Sequence, residues 1–171
     1  MMGHLRPVKD PFRTEAAVRL LPEESRIVVT HIGSALTDRM KNRAETLTRR
    51  NARYSWRGEY PRWKALRVLS RSRLLVLTSK MEGGANVVSE ALACGVPVVS
   101  TRISGSIGML EKGYPGYFPV GDAEALAKLL RRTEEDRSFY DRLAAACRKQ
   151  AWIVDPELEM ENWRRLLNDL T

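Results

Sequence analysis

The sequence is poor in cysteine and in long apolar runs. Its 171 residues include only Cys94 and Cys147, and because neither belongs to a Cys-x-x-Cys or Cys/His cluster, we expect no disulfide framework and no zinc site. We interpret both as small buried hydrophobes. No apolar stretch approaches the roughly 20 residues that span a bilayer, and no apolar core follows the cationic first residues, as a signal peptide would require. These absences predict a soluble, cytoplasmic protein without a membrane span.

Acidic residues are the minority among the charged ones, with 21 Asp and Glu against 29 Lys and Arg. This balance favours anionic partners such as phosphates, nucleotides or nucleic acid. Much of the excess lies in Asp38–Arg53 and Arg62–Arg73, which are also predicted helices with charged outer faces. We favour a solvated helix surface, because no aromatic or base-reading motif accompanies the arginines. A nucleic-acid binder is therefore the last-ranked alternative, and we predict no nucleic-acid partner.

Strand-like and helix-like segments alternate along the chain, without an internal repeat, low-complexity tract or linker. Apolar, β-branched runs predict strands at Arg26–Gly33, Tyr54–Gly58, Leu74–Ser79, Pro97–Thr101 and Gly116–Val120. Helical patterns cover Asp10–Leu21, Thr37–Arg50, Pro61–Ser70, a segment from about Asn86, Ala123–Arg132, Glu134–Gln150 and Pro156–Leu170. Nearly all-apolar strands between helices indicate a parallel sheet covered on both faces. The prediction is one α/β domain over residues 1–171, a Rossmann-like three-layer sandwich with a mainly parallel sheet of about six strands.

A sheet of this kind should have a further strand before these, at the start of the chain, and that strand is anomalous. It would consist only of Met1–Leu5, which is too short and too polar for the centre of a sheet. We therefore expect that the chain is cut at its beginning.

A double glycine follows the predicted strand Leu74–Ser79. In an open parallel sheet, ligands bind beyond the carboxyl ends of the strands, and Gly83-Gly84 has that position. Glycines let a ligand approach the backbone, and they allow several N–H groups to turn toward one point. The next helix, with Asn86 as its cap, adds unpaired amides and the positive end of its dipole. This segment is therefore predicted to hold a pyrophosphate.

Two glutamates flank this loop. Glu82 precedes the glycines, and Glu90 follows Asn86 by one turn, away from the apolar stripe of the helix. Each carboxylate can accept hydrogen bonds from sugar hydroxyls, so the spacing suits a ligand with a sugar at each end and phosphates between them. Taken alone, two such glutamates are more often surface acids near a helix N-terminus. The surrounding motif changes that balance.

The surrounding motif combines Glu82-Gly-Gly, the second glutamate, Ala91-Leu-Ala-Cys-Gly-Val-Pro-Val-Val-Ser and Pro119-Val-Gly-Asp-Ala-Glu-Ala-Leu. From Gly3 to about Leu130, the chain resembles the donor-binding domain of family 4 glycosyltransferases, retaining enzymes of the GT-B fold. That family normally has Glu-Gly-Phe-Gly where this chain has Glu82-Gly-Gly-Ala. The resemblance implies the C-terminal half of a GT-B fold, which binds a nucleotide-sugar such as a UDP-sugar, and it implies that the N-terminal acceptor half is missing.

The resemblance also implies roles for individual residues. Glu82 would contact the donor sugar, Glu90 would hold the ribose and Lys9 would bind the diphosphate. This chain has Gly3-His4-Leu5 where the family has Gly-Arg-Leu, so Arg6 would supply the missing cation. Lys9, Arg6 and Glu82 are thus the catalytic candidates. The donor-binding candidates are Gly3, His4, Gly58, Glu59, Glu82, Gly83, Gly84, Ala85, Asn86 and Glu90.

Three further segments, Asn86-Val-Val-Ser-Glu-Ala, Gly105-Ser-Ile-Gly-Met-Leu and Tyr114-Pro-Gly-Tyr-Phe-Pro-Val-Gly-Asp, resemble the selenosugar synthase branch, which joins selenophosphate to the sugar of a UDP-sugar. An anionic small-molecule acceptor would also suit the basic surface. No Asp-x-Asp occurs, so we predict neither a metal ion nor a cofactor, with cations and a helix dipole stabilising the leaving diphosphate. We expect this chain alone to be inactive, and a noncatalytic nucleotide-binding module is the alternative.

The remaining histidine and the tryptophans have plainer interpretations. His31 is predicted to be a satisfied residue at a strand end, and His4 is the better candidate for the edge of a ligand site. Trp152 and Trp163, with Leu166 and Leu167, have helical spacing. That spacing favours packing between helices over stacking on bases.

Overall fold

The computed structural model describes residues 1–169, in which strands and helices alternate and the paired strands run parallel. The strands are β1 Val29–His31, β2 Tyr54–Trp56, β3 Leu75–Leu77, β4 Val98–Thr101 and β5 Tyr117–Phe118. The helices are α1 Arg13–Arg19, α2 Asp38–Arg50, α3 Arg62–Ser70, α4 Asn86–Ala93, α5 Ser104–Leu110, α6 Ala123–Glu135, α7 Arg137–Lys149 and α8 Pro156–Asp169. Short 3-10 turns lie at Pro7–Lys9 and Ala151–Val154. The predicted α/β class is confirmed, and the predicted end of the last helix, Leu170, lies outside the described residues.

Helix starts follow local chemistry. The Thr37 hydroxyl accepts a hydrogen bond from the Met40 N–H at 3.3 Å before α2, and Asp136 accepts one from the Phe139 N–H at 2.9 Å before α7. Such side chains satisfy amide groups that a helix leaves unpaired at its first turn. α5 was not predicted, because it contains two glycines, Gly105 and Gly108, and glycine is a poor helix former.

The strands form two sheets, one of order β1-β2 and one of order β3-β4-β5. The segment Met1–Leu5 lies beside the end of β1: Met2 pairs with Ile32, and Leu5 pairs with Ala35, in parallel bridges. Leu5 is fully buried. The five strands and this bridged segment match the predicted number of about six strands. They differ from the prediction in that they form two sheets and not one.

The core lies on both faces of the sheets. Val98 and Val99 on β4 are fully buried, as are Val88 and Ala91 on α4. Among the helices, α1 packs against α6, and α4 packs against α3 and α5. Apolar strands therefore have helices on both faces, as their nearly continuous apolar sequence requires.

Of the two cysteines predicted to be buried, one is. Cys147 is buried and Cys94 is half-buried, and both are free thiols. Burial raises the pKa of both, and the nearby Glu90 carboxylate raises that of Cys94 further. Both thiols are therefore held in the neutral form that a buried hydrophobe requires.

The predicted packing of the two C-terminal tryptophans and two leucines between helices is not seen within the described residues. Trp152, Trp163, Leu166 and Leu167 have between 50% and 59% of their surface exposed. About half of the surface of these four side chains is therefore not covered by the described helices and strands. Within residues 1–169, no helix combines the length and apolarity needed to cross a membrane.

His31 connects the first segment to the first sheet. Its Nε2 lies 3.0 Å from the Gly3 carbonyl oxygen, which can only accept, so Nε2 donates and Nδ1 accepts from the Tyr54 hydroxyl at 2.7 Å. The side chain is fully buried, and burial together with the nearby Met1 ammonium lowers its pKa to about 4. The prediction that His31 is a satisfied strand-end residue is confirmed.

Stability is expected to rise with pH between about 5 and 8. The pKa of the Met1 α-amine is lowered by burial to about 5 from 8.0, and that of His31 to about 4 from 6.5. The unfolded chain therefore binds more protons in this interval, and folding gains stability as pH rises. The free energy of unfolding measured with urea should be higher at pH 8 than at pH 5 by about 2 kcal/mol or more. A flat or falling profile would contradict the buried, neutral state of these groups.

Candidate functional site

A cleft of about 410 Å³ opens beyond the carboxyl ends of β1, β2 and β3. Three separate loops meet there, because parallel strands end at the same side of a sheet. Of the predicted site residues, its lining contains Gly3, His4, Lys9, Glu59, Glu82, Gly84, Ala85, Asn86 and Glu90. Residues that lie far apart in sequence thus form one surface.

Lys9 and Glu82, which both line the cleft, form an ion pair. The Lys9 ammonium donates to Glu82 Oε1, and the Ser79 hydroxyl donates to the same oxygen at 2.6 Å. The Glu82 side chain is only 10% exposed, and that of Lys9 is 27% exposed. A carboxylate oxygen that accepts from two donors in a sheltered position is held in one orientation.

The 3-10 turn Pro7–Lys9 is fastened to the end of β3. The Thr78 hydroxyl donates to the Lys9 carbonyl oxygen at 2.8 Å, and the Lys80 N–H donates to the Val8 carbonyl oxygen at 2.8 Å. Asp10 then takes a left-handed backbone conformation, with φ of 42°. These contacts bring the side chain of Lys9 over the loop that contains Glu82.

Glu90 projects from α4 into the same cleft. Its carboxylate lies 3.5 Å from Arg62 Nε, and its side chain is 23% exposed while that of Arg62 is 80% exposed. Because Arg62 is so exposed, this pair adds little stability. The Glu90 carboxylate can therefore exchange Arg62 for hydroxyl donors of a ligand at small cost.

The start of α4 corrects one prediction. Asn86 is the first residue of the helix and Ala85 is the N-cap, which makes no side-chain capping bond. The Asn86 N–H donates to the Gly84 carbonyl oxygen at 3.0 Å, and the Val88 N–H donates to that of Ala85 at 2.6 Å. Within the described chain, the N–H groups of Gly84, Ala85 and Val87 have no such backbone partner, so they are the donors available to an anion.

His4 is also on the cleft wall. Its Nδ1 accepts from the Ser34 N–H at 3.1 Å, and the Ser34 hydroxyl lies 2.6 Å from the same atom. An Nδ1 that accepts from an amide has no proton of its own, so the neutral ring has its N–H at Nε2. The Nε2–H group of His4 is thus a single hydrogen-bond donor for a ligand in the cleft.

Three predicted residues are not part of the cleft lining. Arg6 is exposed, and Gly58 and Gly83 also lie outside the lining residues. Gly58 still shapes the site from behind, because its carbonyl oxygen accepts from the Gly33 N–H at 2.8 Å.

Sequence reasoning missed several residues of the cleft. Gly33 and Tyr60 line it, Ser79 orients Glu82, and Arg62 pairs with Glu90. Gly33 has a φ of 151°, and a Cβ there would lie 2.1 Å from the Gly3 carbonyl oxygen. The signal was present for Gly33, which ends a predicted strand, and Ser79 lies only three positions before Glu82. The contact of Arg62 with Glu90, in contrast, arises from the packing of distant segments.

Comparison with curated proteins finds partial matches. N-acetyl-alpha-D-glucosaminyl L-malate synthase of Bacillus anthracis is 36% identical over 80 residues, which are 44% of this chain and 21% of that protein. The lipopolysaccharide core biosynthesis glycosyltransferase LpsE of Rhizobium meliloti is 38% identical over 72 residues, which are 42% of this chain and 21% of that protein. The matched part is thus about a fifth of each relative.

Comparison with solved structures shows the fold. Anabaena HepE in complex with UDP matches with a TM-score of 0.81 at 21% identity, over 98% of this chain and 48% of that chain. Sucrose-phosphate synthase of Thermosynechococcus elongatus matches with a TM-score of 0.79 at 22% identity, over 99% of this chain and 45% of that chain. The chain therefore spans about half the length of these structures, and its fold is one Rossmann-like half of the GT-B type.

The family model described as glycosyl transferases group 1 matches residues 1–150. This match covers most of the 171 residues and includes the three loops that form the cleft. The chain belongs to the group 1 glycosyltransferase family.

Proposed function

We propose that the cleft binds a UDP-sugar and that the chain is the donor-binding part of a glycosyltransferase. The observation that supports this most directly is the meeting of Lys9, Glu82 and Glu90 in one cleft of about 410 Å³. A cation and free amides for the diphosphate, and one carboxylate for each of the two sugars, suit such a ligand. The family assignment and the UDP complex of Anabaena HepE support the same ligand class.

In the proposed complex the diphosphate lies against Lys9 and the free amides of Ala85 and Val87. The ribose hydroxyls donate to Glu90, which releases Arg62. The donor sugar lies beside Glu82, and the base lies along Glu59 and Tyr60, at the end of the cleft formed after β2. Each group would thus meet a side chain or backbone donor of matching polarity.

The proposed reaction is transfer of the sugar from the diphosphate to an acceptor. The bond between the anomeric carbon and the diphosphate oxygen breaks, the acceptor forms a new bond to that carbon, and UDP leaves. Lys9 and the amides at the start of α4 would stabilise the negative charge that develops on the leaving oxygen. His4 Nε2 supplies a further donor on the same wall, whereas the exposed Arg6 is not needed in this arrangement.

The acceptor and the stereochemistry rest on the resemblance to family 4 enzymes. We propose transfer with retention, to an anionic small-molecule acceptor, of which selenophosphate is the one that the selenosugar branch indicates. The acceptor-binding half would be separate from residues 1–171, since the chain spans about half of the solved structures that it matches. Turnover would therefore need that second half.

Replacing Glu90 with glutamine is expected to weaken UDP binding about tenfold or more, because hydrogen bonds to a charged group contribute roughly 1.5–3 kcal/mol. Isothermal titration calorimetry with UDP and UDP-N-acetylglucosamine measures this directly. Glu124→Gln, in the first turn of α6, is the matched control, because that exposed acid lies outside the cleft.

The outcomes separate the parts of the proposal. If the Glu90→Gln and wild-type chains bind UDP with equal affinity, the proposed contact between the ribose and Glu90 is wrong. A folded wild-type chain that binds neither nucleotide would contradict the function itself. Binding of UDP without transfer, even after the acceptor half is supplied, would favour the noncatalytic nucleotide-binding module.

A further inference from the structure

The cation proposed to bind the diphosphate is already paired with a carboxylate of the chain. The Lys9 ammonium donates to Glu82 Oε1, and both side chains line the cleft. Under the proposed function, however, Lys9 binds the diphosphate and Glu82 binds the donor sugar. One ammonium therefore has two anions to serve, the Glu82 carboxylate and the diphosphate.

The backbone on both sides of this ion pair is fixed by contacts. Lys9 ends a 3-10 turn, and its carbonyl oxygen accepts from the Thr78 hydroxyl at 2.8 Å. Glu82 Oε1 also accepts from the Ser79 hydroxyl at 2.6 Å. A Cβ at Gly105 would lie 2.4 Å from the Glu82 carbonyl oxygen, so the backbone of Glu82 has little room on that side. Side-chain rotation, and not a shift of either backbone, is therefore the movement that brings the ammonium to another anion.

The ion pair at Glu82 differs in exposure from the ion pair at Glu90. Glu90 pairs with Arg62, whose side chain is 80% exposed, so water solvates the guanidinium when a ligand takes the carboxylate. Lys9 and Glu82 are both sheltered, so water screens their attraction less, and a Glu82 carboxylate that loses a donor is costly. A ligand therefore displaces Arg62 from Glu90 at small cost, but it does not take Lys9 from Glu82 so cheaply.

UDP satisfies only one member of the Lys9–Glu82 pair. If its diphosphate takes the ammonium, Glu82 Oε1 keeps the Ser79 hydroxyl as its donor and loses the cation. If the ammonium instead bridges both anions through two of its three N–H groups, the carboxylate and the diphosphate share one positive charge at close range. In either arrangement, Glu82 lowers the affinity of the cleft for UDP.

A nucleotide-sugar satisfies both members of the pair. Its diphosphate binds the Lys9 ammonium, and a hydroxyl of its sugar donates to the Glu82 carboxylate, which has lone pairs for several donors. This charge-assisted hydrogen bond replaces the donation that Glu82 loses from Lys9. The two parts of the ligand thus support each other's binding.

We propose that the Lys9–Glu82 ion pair makes the cleft select the intact nucleotide-sugar over UDP, by coupling recognition of the diphosphate to recognition of the sugar. This inference rests on the proposed function, from which it takes the positions of the two ligand groups. Once the sugar has been transferred, Glu82 loses its hydroxyl donor and attracts the ammonium again. UDP is then bound less tightly and leaves more readily, which favours turnover wherever product release is slow.

Replacing Glu82 with glutamine is expected to raise the affinity for UDP about threefold or more, because the neutral amide does not compete for the Lys9 ammonium. The preference for UDP-N-acetylglucosamine and UDP-glucose over UDP is expected to fall about tenfold or more, because the charge-assisted bond to the sugar is lost. Calorimetric titration of both chains with the three ligands measures these changes. Glutamine keeps the size of the side chain, and its carbonyl oxygen can still accept from the Ser79 hydroxyl.

The matched control is Asp38→Asn, which removes the same charge. Asp38 is exposed in the first turn of α2 and is not part of the cleft lining. A double-mutant cycle then tests the pair itself. Lys9→Ala should cost at least about threefold more UDP affinity in the Glu82→Gln chain than in the wild-type chain, because there the diphosphate has the whole ammonium.

Three results would each overturn the inference. If Glu82→Gln leaves the affinity for UDP unchanged or lowers it, Glu82 does not compete with the diphosphate. If Asp38→Asn raises that affinity equally, the effect is one of overall charge. If Lys9→Ala costs the same in both backgrounds, the two residues act independently.

The same titrations separate this inference from the proposed function. Folded wild-type and Glu82→Gln chains that both bind neither UDP nor a UDP-sugar would overturn the function and the inference together. Binding of UDP by both chains with equal affinity would overturn the inference alone and leave the UDP-sugar site in place.

Discussion

Replacement of Lys9 by alanine is expected to weaken UDP binding by about tenfold to a hundredfold. In the proposed complex Lys9 contributes a charge-assisted hydrogen bond to the diphosphate, a class of bond that contributes roughly 1.5–3 kcal/mol. Calorimetric titration with UDP measures the loss. UMP, which lacks the second phosphate, should lose less affinity in the same variant.

The control for this variant is Lys80→Ala. Lys80 is exposed and lies just before the same loop, but it is not part of the cleft lining. Its backbone bond to Val8 remains in the variant. If the two substitutions weaken UDP binding equally, the effect of Lys9 is one of general charge, and its assigned contact with the diphosphate is wrong.

Replacement of Gly105 by alanine is expected to lower stability by about 2 kcal/mol or more, which is a fall in Tm of about 4–8 °C. A Cβ at Gly105 would lie 2.4 Å from the Glu82 carbonyl oxygen and 2.9 Å from Glu82 Cβ. Because one of these atoms is backbone, the loop must move. Thermal unfolding measures the cost.

The Gly105→Ala substitution should also affect binding of the donor sugar more than binding of the nucleotide. Movement of Glu82 away from Lys9 and Ser79 disturbs the position proposed for the donor sugar, so binding of UDP-N-acetylglucosamine should weaken more than binding of UDP. Gly108→Ala on the same helix is the control, since a Cβ there meets nothing within 4 Å. Matching Tm values for the two variants would show that the loop accommodates the added atom.

Much of the fold could be predicted because its signals are local. α2 and α6 have sustained periodicity and begin after capping side chains at Thr37 and Asp122, and such patterns depend on neighbouring residues alone. β3 and β4 lie within apolar runs bounded by polar residues. The 3-10 turn at Pro7–Lys9 and the glycine-containing α5 have weak local signals, so they were not predicted.

The site was predictable in part, for the same physical reason. The loop Glu82–Ala85 could be placed because it follows a strong strand signal, and parallel strands end at a common edge. The pairing of Lys9 with Glu82 joins residues 73 positions apart. The approach of Gly105 to the same glutamate depends on how α5 packs on the loop, which no local pattern encodes.

The division of the strands between two sheets also affects how the molecule opens. Sheets that share no ladder of hydrogen bonds can separate as distinct cooperative units, each with its own free energy of local unfolding. Gly33 and Glu59 belong to the unit of β1 and β2, whereas Glu82 and Glu90 follow β3. Partial unfolding of the first unit would therefore displace Gly33 and Glu59 at the base end of the cleft, together with the segment Met1–Leu5 that is bridged to it.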